Sequence, residues 1–239
     1  KADVQLSEGA AILDIGAMTS KPGSEYISPE EEWKLLEPAL KSLRKQFPRA
    51  ILSIDTHRKA TAERCLDLGA DIINDITGGD GDSNMFALIV ERNCPYIMMH
   101  MQGNPQTMQK NPEYEDVTRE VLDYFIKKLG VLREMGAKDV VLDPGFGFGK
   151  TLSHNYQLLR ELKEFSFLEC PILAGMSRKS MINKVLGTSP AEALNGTTAL
   201  NMVALMGGAH ILRAHDVKEA VQCVKLYEEL KNTDHDPSE

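Results

Sequence analysis

Seven short runs of β-branched and aliphatic residues, each closed by polar residues or glycine and followed by a helix-like stretch, constrain this chain most. They cover residues 11–16, 50–56, 72–77, 96–100, 140–144, 171–177 and 211–215. Runs of this length read as strands. Between them lie segments with apolar residues at three- and four-residue spacing, the longest being 29–47 and 114–135, which read as amphipathic helices. Strand and helix in alternation predict a parallel sheet covered by helices, either doubly wound or closed into a barrel. What favours the barrel is the chemistry of the strand ends. Asp14, Asp55, Asn74, His100, Asp143, Ser177 and then Arg213 and His215 stand at the C-terminal ends of the runs, the face on which (β/α)8 barrels carry their sites. Any one of these carboxylates also suits a helix N-cap; the whole series does not.

Gly-Ala pairs before strands, at Gly9, Gly69, Gly136 and Gly208, fit helix C-caps turning into the next strand. Residues 1–9 read as the end of a helix, so the expected fold is a (β/α)8 TIM barrel whose first strand and loop are missing from this chain. One domain over residues 1–230 and a polar tail over 231–239 account for the 239 residues, since such barrels form single units of this size. The formal net charge of −8 argues against nucleic acid and anionic membrane as partners, so an anionic ligand needs local cations. Cys65, Cys94, Cys170 and Cys223 form no Cys-x-x-Cys pair and read as buried free thiols of a reducing cytoplasm. No 18-residue apolar run or signal-like segment is present.

The strand-end residues sort by what they bind. Asp143 and Asn74 offer a carboxylate and an amide to the edge of a flat heterocycle, and Asp55 adds a second carboxylate. Arg213 and His215, two apart, share a strand face near a helix start at Asp216, a plausible diphosphate grip; a core-lining pair satisfied by carboxylates is the other reading. The segment 143–151 resembles a phosphate loop superficially, but Pro144 stands where that loop requires glycine. Its glycines instead let backbone approach a planar ligand, with Phe148 or Phe146 as an apolar wall, or simply make a tight turn. Lys179 could donate to a ring carbonyl or imine nitrogen, and helix-start amides beside Ser180 could hold a carboxylate; taken without the rest of the series, this segment reads as surface basic residues.

Asp14-Ile15-Gly16, Ser53-Ile54-Asp55-Thr56, Ile73-Asn74-Asp75, Met99-His100-Met101-Gln102-Gly103, residues 143–150, Ser177-Arg178-Lys179-Ser180 and Arg213-Ala214-His215-Asp216 occur in that order. This series resembles the dihydropteroate synthase family over nearly the whole chain. The resemblance implies a transferase of folate biosynthesis that joins a pterin diphosphate to 4-aminobenzoate. It implies that Asp55, Asn74, Asp143 and Lys179 bind the pterin, with Met99, Phe148 and Gly175 lining the pocket. Arg213 and His215 would hold the diphosphate with Mg²⁺, the cation carried mainly by the diphosphate and by an Asn of the missing first strand. Ser180 and the loop Ser20, Lys21, Pro22 would flank the aminobenzoate, and the assembly would be a homodimer. Of these, Lys179, Arg213, His215 and Asp55 are the expected catalytic residues. The family's second-strand loop usually carries arginine where Lys21 stands, so a point charge replaces a planar guanidinium there. A pterin-binding methyltransferase domain and a pterin-binding barrel without turnover are the alternatives.

Overall fold

The computed structural model describes residues 1–17, 27–103 and 112–232. After a short helix α1 (Ala2–Ser7), strands and helices alternate: β1 (Ile12–Gly16), α2 (Pro29–Gln46), β2 (Ile51–Asp55), α3 (Lys59–Asp67), β3 (Ile72–Asp75), α4 (Met85–Arg92) and β4 (Tyr96–Met99). They continue with α5 (Val117–Met135), β5 (Val140–Asp143), α6 (Leu152–Arg160), β6 (Leu173–Ala174), α7 (Ser180–Leu186), α8 (Leu194–Met206), β7 (Ile211–Leu212) and α9 (Val217–Asn232). All seven expected strands form. β1 to β5 pair in parallel and in chain order, β6 pairs with β7, and a parallel bridge from Leu142 to Ile172 joins the two sheets. Consecutive parallel neighbours with a helix after each strand are the wall of a (β/α)8 barrel.

The helices start and stop for local reasons. Ser28 and Glu31 form a reciprocal capping box ahead of α2, with Pro29 in the first turn. α5 begins at Val117 rather than at the expected residue 114, because the Asp116 side chain accepts the amides of Thr118 and Arg119 and so fixes the start. Tyr114, left outside, donates its hydroxyl to the Gly149 carbonyl at 2.9 Å. Gly9, Gly69, Gly136 and Gly208 all have φ between +90° and +101°, and the alanine after each donates five residues back, as in Ala137 N to Leu132 O at 2.9 Å. These are the expected C-caps. At the end of the chain α9 runs two residues past the expected boundary, to Asn232, because Leu226 and Leu230 keep its four-residue apolar spacing going.

One apolar cluster joins the strand residues Leu13, Leu52, Ile54, Ile73, Met98 and Leu142 to the inner faces of the helices, among them Leu40, Leu88, Phe125 and Leu158. Full burial of each such side chain contributes about 1.5–3 kcal/mol. A second, smaller cluster of Ile76, Met99 and Phe148 sits apart from it at the strand ends.

Candidate active site

Register is what assembles the strand ends. Asp14 pairs with Ser53, Gly16 with Asp55, Asp55 with Asn74, and Met99 with Asp143. Parallel register therefore lays the polar residues of successive strands side by side. Asp14 takes the Ser53 hydroxyl at 2.8 Å and the Asn74 amide nitrogen at 3.0 Å. Its second oxygen also faces the Arg213 guanidinium at 3.7 Å, and Arg213 donates to Asp143 at 3.1 Å. Asn74, Asp14, Arg213 and Asp143, drawn from β3, β1, the end of β7 and β5, thus form one continuous polar chain across the mouth of the barrel.

The charges there are tuned by burial and by each other. Burial opposes the charge on Arg213, but the carboxylates of Asp143, Asp14 and Asp55 outweigh it and hold its pKa above the usual value. Burial and the neighbouring Asp14 carboxylate push Asp55 up to about 7, against the pull of Arg213. Lys179 is drawn down to about 7 by burial and then by Arg213. Its ammonium donates to the Phe146 carbonyl and lies 4.7 Å from the centre of the Phe148 ring. Phe148 and Met99 pack together beneath it, whereas Phe146 belongs to the main core. Of the two phenylalanines, Phe148 is the one that stands beside Lys179.

Gly175 sits behind Arg213: a Cβ there would lie 3.1 Å from the guanidinium Nε. It gives the planar group room to lie against the β6 backbone. Arg213 and His215 differ in burial and partners. β7 ends at Leu212, although the Arg213 amide still donates to the Ala174 carbonyl of β6 at 2.9 Å; Arg213 reaches the carboxylates of Asp143 and Asp14, while His215 is exposed and its Nδ1 lies 3.0 Å from the Ser177 hydroxyl. Asp216 is occupied too, taking the Arg178 guanidinium through two bonds of 2.7 and 3.0 Å. Ser180 is exposed at the start of α7, directly after Lys179. Ser20, Lys21 and Pro22 lie outside the described residues.

His100 stands at a strand end but is buried below the site, and burial followed by the nearby Lys150 pushes its pKa down to about 2. A neutral His100 accepts from Lys150 at 3.0 Å; the same ammonium donates to the carbonyls of Gly145 and Phe148, both at 3.1 Å. Three donors meet three acceptors. This tie holds the 144–150 loop so close to β4 that a Cβ on Gly145 would fall 1.9 Å from the His100 carbonyl oxygen.

Beyond Asp55, Glu32 of α2 is buried and accepts from Arg58 at 2.6 Å, Thr56 at 2.8 Å and Thr61 at 3.0 Å, fixing the turn that leaves β2. No pattern in the sequence points to this network, whose members lie 24 to 29 residues from Glu32. Asp14 and Lys150 were visible inside motifs, but nothing in their spacing distinguished a hub or a tie from an end cap. Among the described residues, no three His, Cys, Asp or Glu side chains gather as a metal cage.

The profile of the pterin binding enzyme family matches residues 1–215. The dihydropteroate synthase of Escherichia coli K12 is 43% identical over 229 residues, covering 95% of this chain and 80% of the relative. The Yersinia pestis dihydropteroate synthase, solved with a sulfonamide drug, superposes with a TM-score of 0.92 at 37% identity, covering 97% of this chain and 84% of that one. The Xanthomonas albilineans dihydropteroate synthase, solved with 4-aminobenzoic acid, gives 0.90 at 30% identity over 96% and 82% of the two chains. With its barrel wall and its polar chain at the strand ends, this protein belongs to the dihydropteroate synthase family of pterin-binding transferases in folate biosynthesis.

Proposed function

We propose that the polar chain from Asn74 through Asp14 and Arg213 to Asp143, faced by Lys179, is the pterin subsite of a working synthase. In it 6-hydroxymethyl-7,8-dihydropterin diphosphate and 4-aminobenzoate give 7,8-dihydropteroate and diphosphate. The observation that carries this reading is the convergence of an acceptor-rich edge and a donor over an apolar floor. Asp143, Asp55 and Asn74 suit the amino and ring N–H groups of a pterin, Lys179 suits its carbonyl or imine nitrogen, and Met99 and Phe148 suit its flat face. Arg213, backed by Gly175, lies between this floor and the rim at His215. These two residues grip the diphosphate, and Ser180 lies at the rim where the aminobenzoate enters.

In the reaction the bond from the pterin methylene carbon to the diphosphate oxygen breaks, and a bond from that carbon to the aminobenzoate nitrogen forms. The nitrogen gives up a proton to water or to the departing diphosphate. Arg213, kept cationic by the surrounding carboxylates, offsets the charge that grows on the leaving group, while the electron-rich pterin carries the positive charge left on carbon. No protein nucleophile is needed. Magnesium enters in this reading as part of the substrate, riding on the diphosphate oxygens, in keeping with the habit of Mg²⁺ of binding through phosphates and water.

A homodimer is the assembly we favour. α8 carries no charged residue and leaves Val203 44% and Met206 63% exposed, and α7 and α9 add Val185, Leu186, Leu226 and Leu230 beside it. An exposed apolar face of this kind marks an interface. A cytoplasmic setting fits four cysteines that are all free thiols; no helix among the described residues is long and apolar enough to cross a membrane.

The test is dihydropteroate formation from the two substrates by the purified chain, with the Arg213→Ala variant alongside. Turnover is expected in the parent and should fall in the variant far more than pterin affinity does. Methyl transfer from a methylfolate without dihydropteroate formation would instead establish a methyltransferase, and pterin binding without either reaction a barrel that only binds.

A further inference from the structure

We infer that Asp14 is a positioning residue of the pterin subsite, one that fixes the Asn74 amide so that its carbonyl oxygen, not its NH2 group, is the atom offered to the ligand. This rests on the assignment of the site to a pterin. The argument begins with what a carboxylate does in a hydrogen bond: ionised, it only accepts. Asp14 Oδ1 is taken by the Ser53 hydroxyl at 2.8 Å, and Oδ2 meets the Asn74 amide at 3.0 Å while facing the Arg213 guanidinium at 3.7 Å. The amide atom that meets Oδ2 is therefore the NH2. The other end, Oδ1 of Asn74, is buried and has no hydrogen-bond partner among the described residues, and the residue as a whole is fully enclosed. A buried carbonyl oxygen without a protein partner costs about 1–3 kcal/mol unless a ligand or water satisfies it.

The two ends of the amide agree: Asp14 sets the donor direction, and an unsatisfied acceptor is left at the other end. Together they assign this position to an N–H donor on the edge of a flat heterocycle, such as an exocyclic amine or a protonated ring nitrogen. Without Asp14 the amide could turn over at little cost and present its NH2 instead, and the same residue would then favour a ring carbonyl or an imine nitrogen. Asp14 itself touches no reacting atom. It acts through Asn74, and its Ser53 bond, made across the β1 to β2 register, keeps it from rotating away.

The experiment exploits the fact that the pair can be exchanged. Asp14→Asn removes the acceptor that directs the amide, and Asn74→Asp sets two carboxylates against each other. The double variant D14N/N74D restores one donor and one acceptor between the two positions and still leaves an acceptor oxygen toward the ligand. Binding of the pterin diphosphate by calorimetry should weaken roughly tenfold or more in each single variant and return to within about threefold of the parent in the double variant. In steady-state assays KM for the pterin substrate should rise in D14N while KM for 4-aminobenzoate holds.

Unchanged pterin binding in D14N, or a double variant no better than the weaker single one although its melting temperature matches the parent, would overturn the role of Asp14. Should D14N fail to fold, Ser53→Ala decides the matter. It keeps the charge but removes one of the bonds that hold Asp14, so pterin affinity should fall about threefold; affinity equal to the parent would overturn the proposal. Failure of the unmodified chain to bind the pterin at all would sink the assignment of the site instead.

Discussion

Replacing Asp55 with asparagine should make the ligand-free protein more stable at alkaline pH while weakening its hold on the pterin. Burial and the Asp14 carboxylate raise the Asp55 pKa from 3.8 to about 7. The folded protein therefore keeps a proton between those values that the unfolded chain has already released. Stability contributed by this group is fully present below about pH 4, is lost as pH rises toward 7, and stays lost above it. At about 1.4 kcal/mol per unit the full shift corresponds to a ceiling of about 4 kcal/mol. Asp55 is only half-buried, and solvent at the pocket mouth screens the interaction, so about 1–2 kcal/mol is the realistic gain. Asparagine keeps the shape and cannot ionise. For a domain of this size the change corresponds to a melting temperature higher by roughly 2–8 °C at about pH 8.5, shrinking toward zero only below about pH 4, where the group is protonated in both states. Thermal melts of parent and variant at the two pH values measure it. An offset of the same size at both, or a variant less stable at alkaline pH, would refute the reasoning.

Three further outcomes follow from packing. Gly145→Ala puts a side chain at a φ of +72° and 1.9 Å from the His100 carbonyl oxygen, so it should cost about 3 kcal/mol or more in urea unfolding; a loss under about 1 kcal/mol would mean the loop yields freely. Lys150→Met leaves His100 Nδ1 and the carbonyls of Gly145 and Phe148 without their shared donor, and should destabilise by about 2–4 kcal/mol and loosen pterin binding, read by melts and calorimetry. Val203→Asp places a charge in the exposed face of the uncharged α8, the face proposed to join two copies, and should shift sedimentation toward monomer without loss of the fold; sedimentation equal to that of the parent would rule this face out as the interface.

The strands were legible because seven short aliphatic runs have no other way to bury themselves, and the helix ends because Gly136 and its counterparts carry the C-cap signal in plain view. The strand-end residues were legible as a set for the same reason that parallel register works: it gathers them whatever their distance in sequence. Direction was what the sequence could not supply. Arg213 and His215 read alike in sequence, two apart on one run, yet Arg213 is tied to Asp143 and Asp14 while His215 is exposed beside Ser177. Asp14 looked like any carboxylate closing a strand, since its worth lies in contacts with Ser53 and Asn74, 39 and 60 residues away. Lys150, at the end of a glycine-rich stretch that suggests phosphate, spends all three of its protons inside the protein.

That glycine-rich stretch has a consequence for how the molecule moves. Three glycines in five residues would ordinarily suggest a hinge, a place where thermal motion collects. Here Gly145 is pressed against His100, Gly149 against Gln102, and the Gly147 amide is held by Asn155 at 2.6 Å. The residue type that gives a free chain its greatest latitude serves in this loop to remove it, by letting two stretches of backbone touch where any side chain would hold them apart. The floor of the site is accordingly a stiff anvil, and the rearrangements that admit and release substrates have to take place around it.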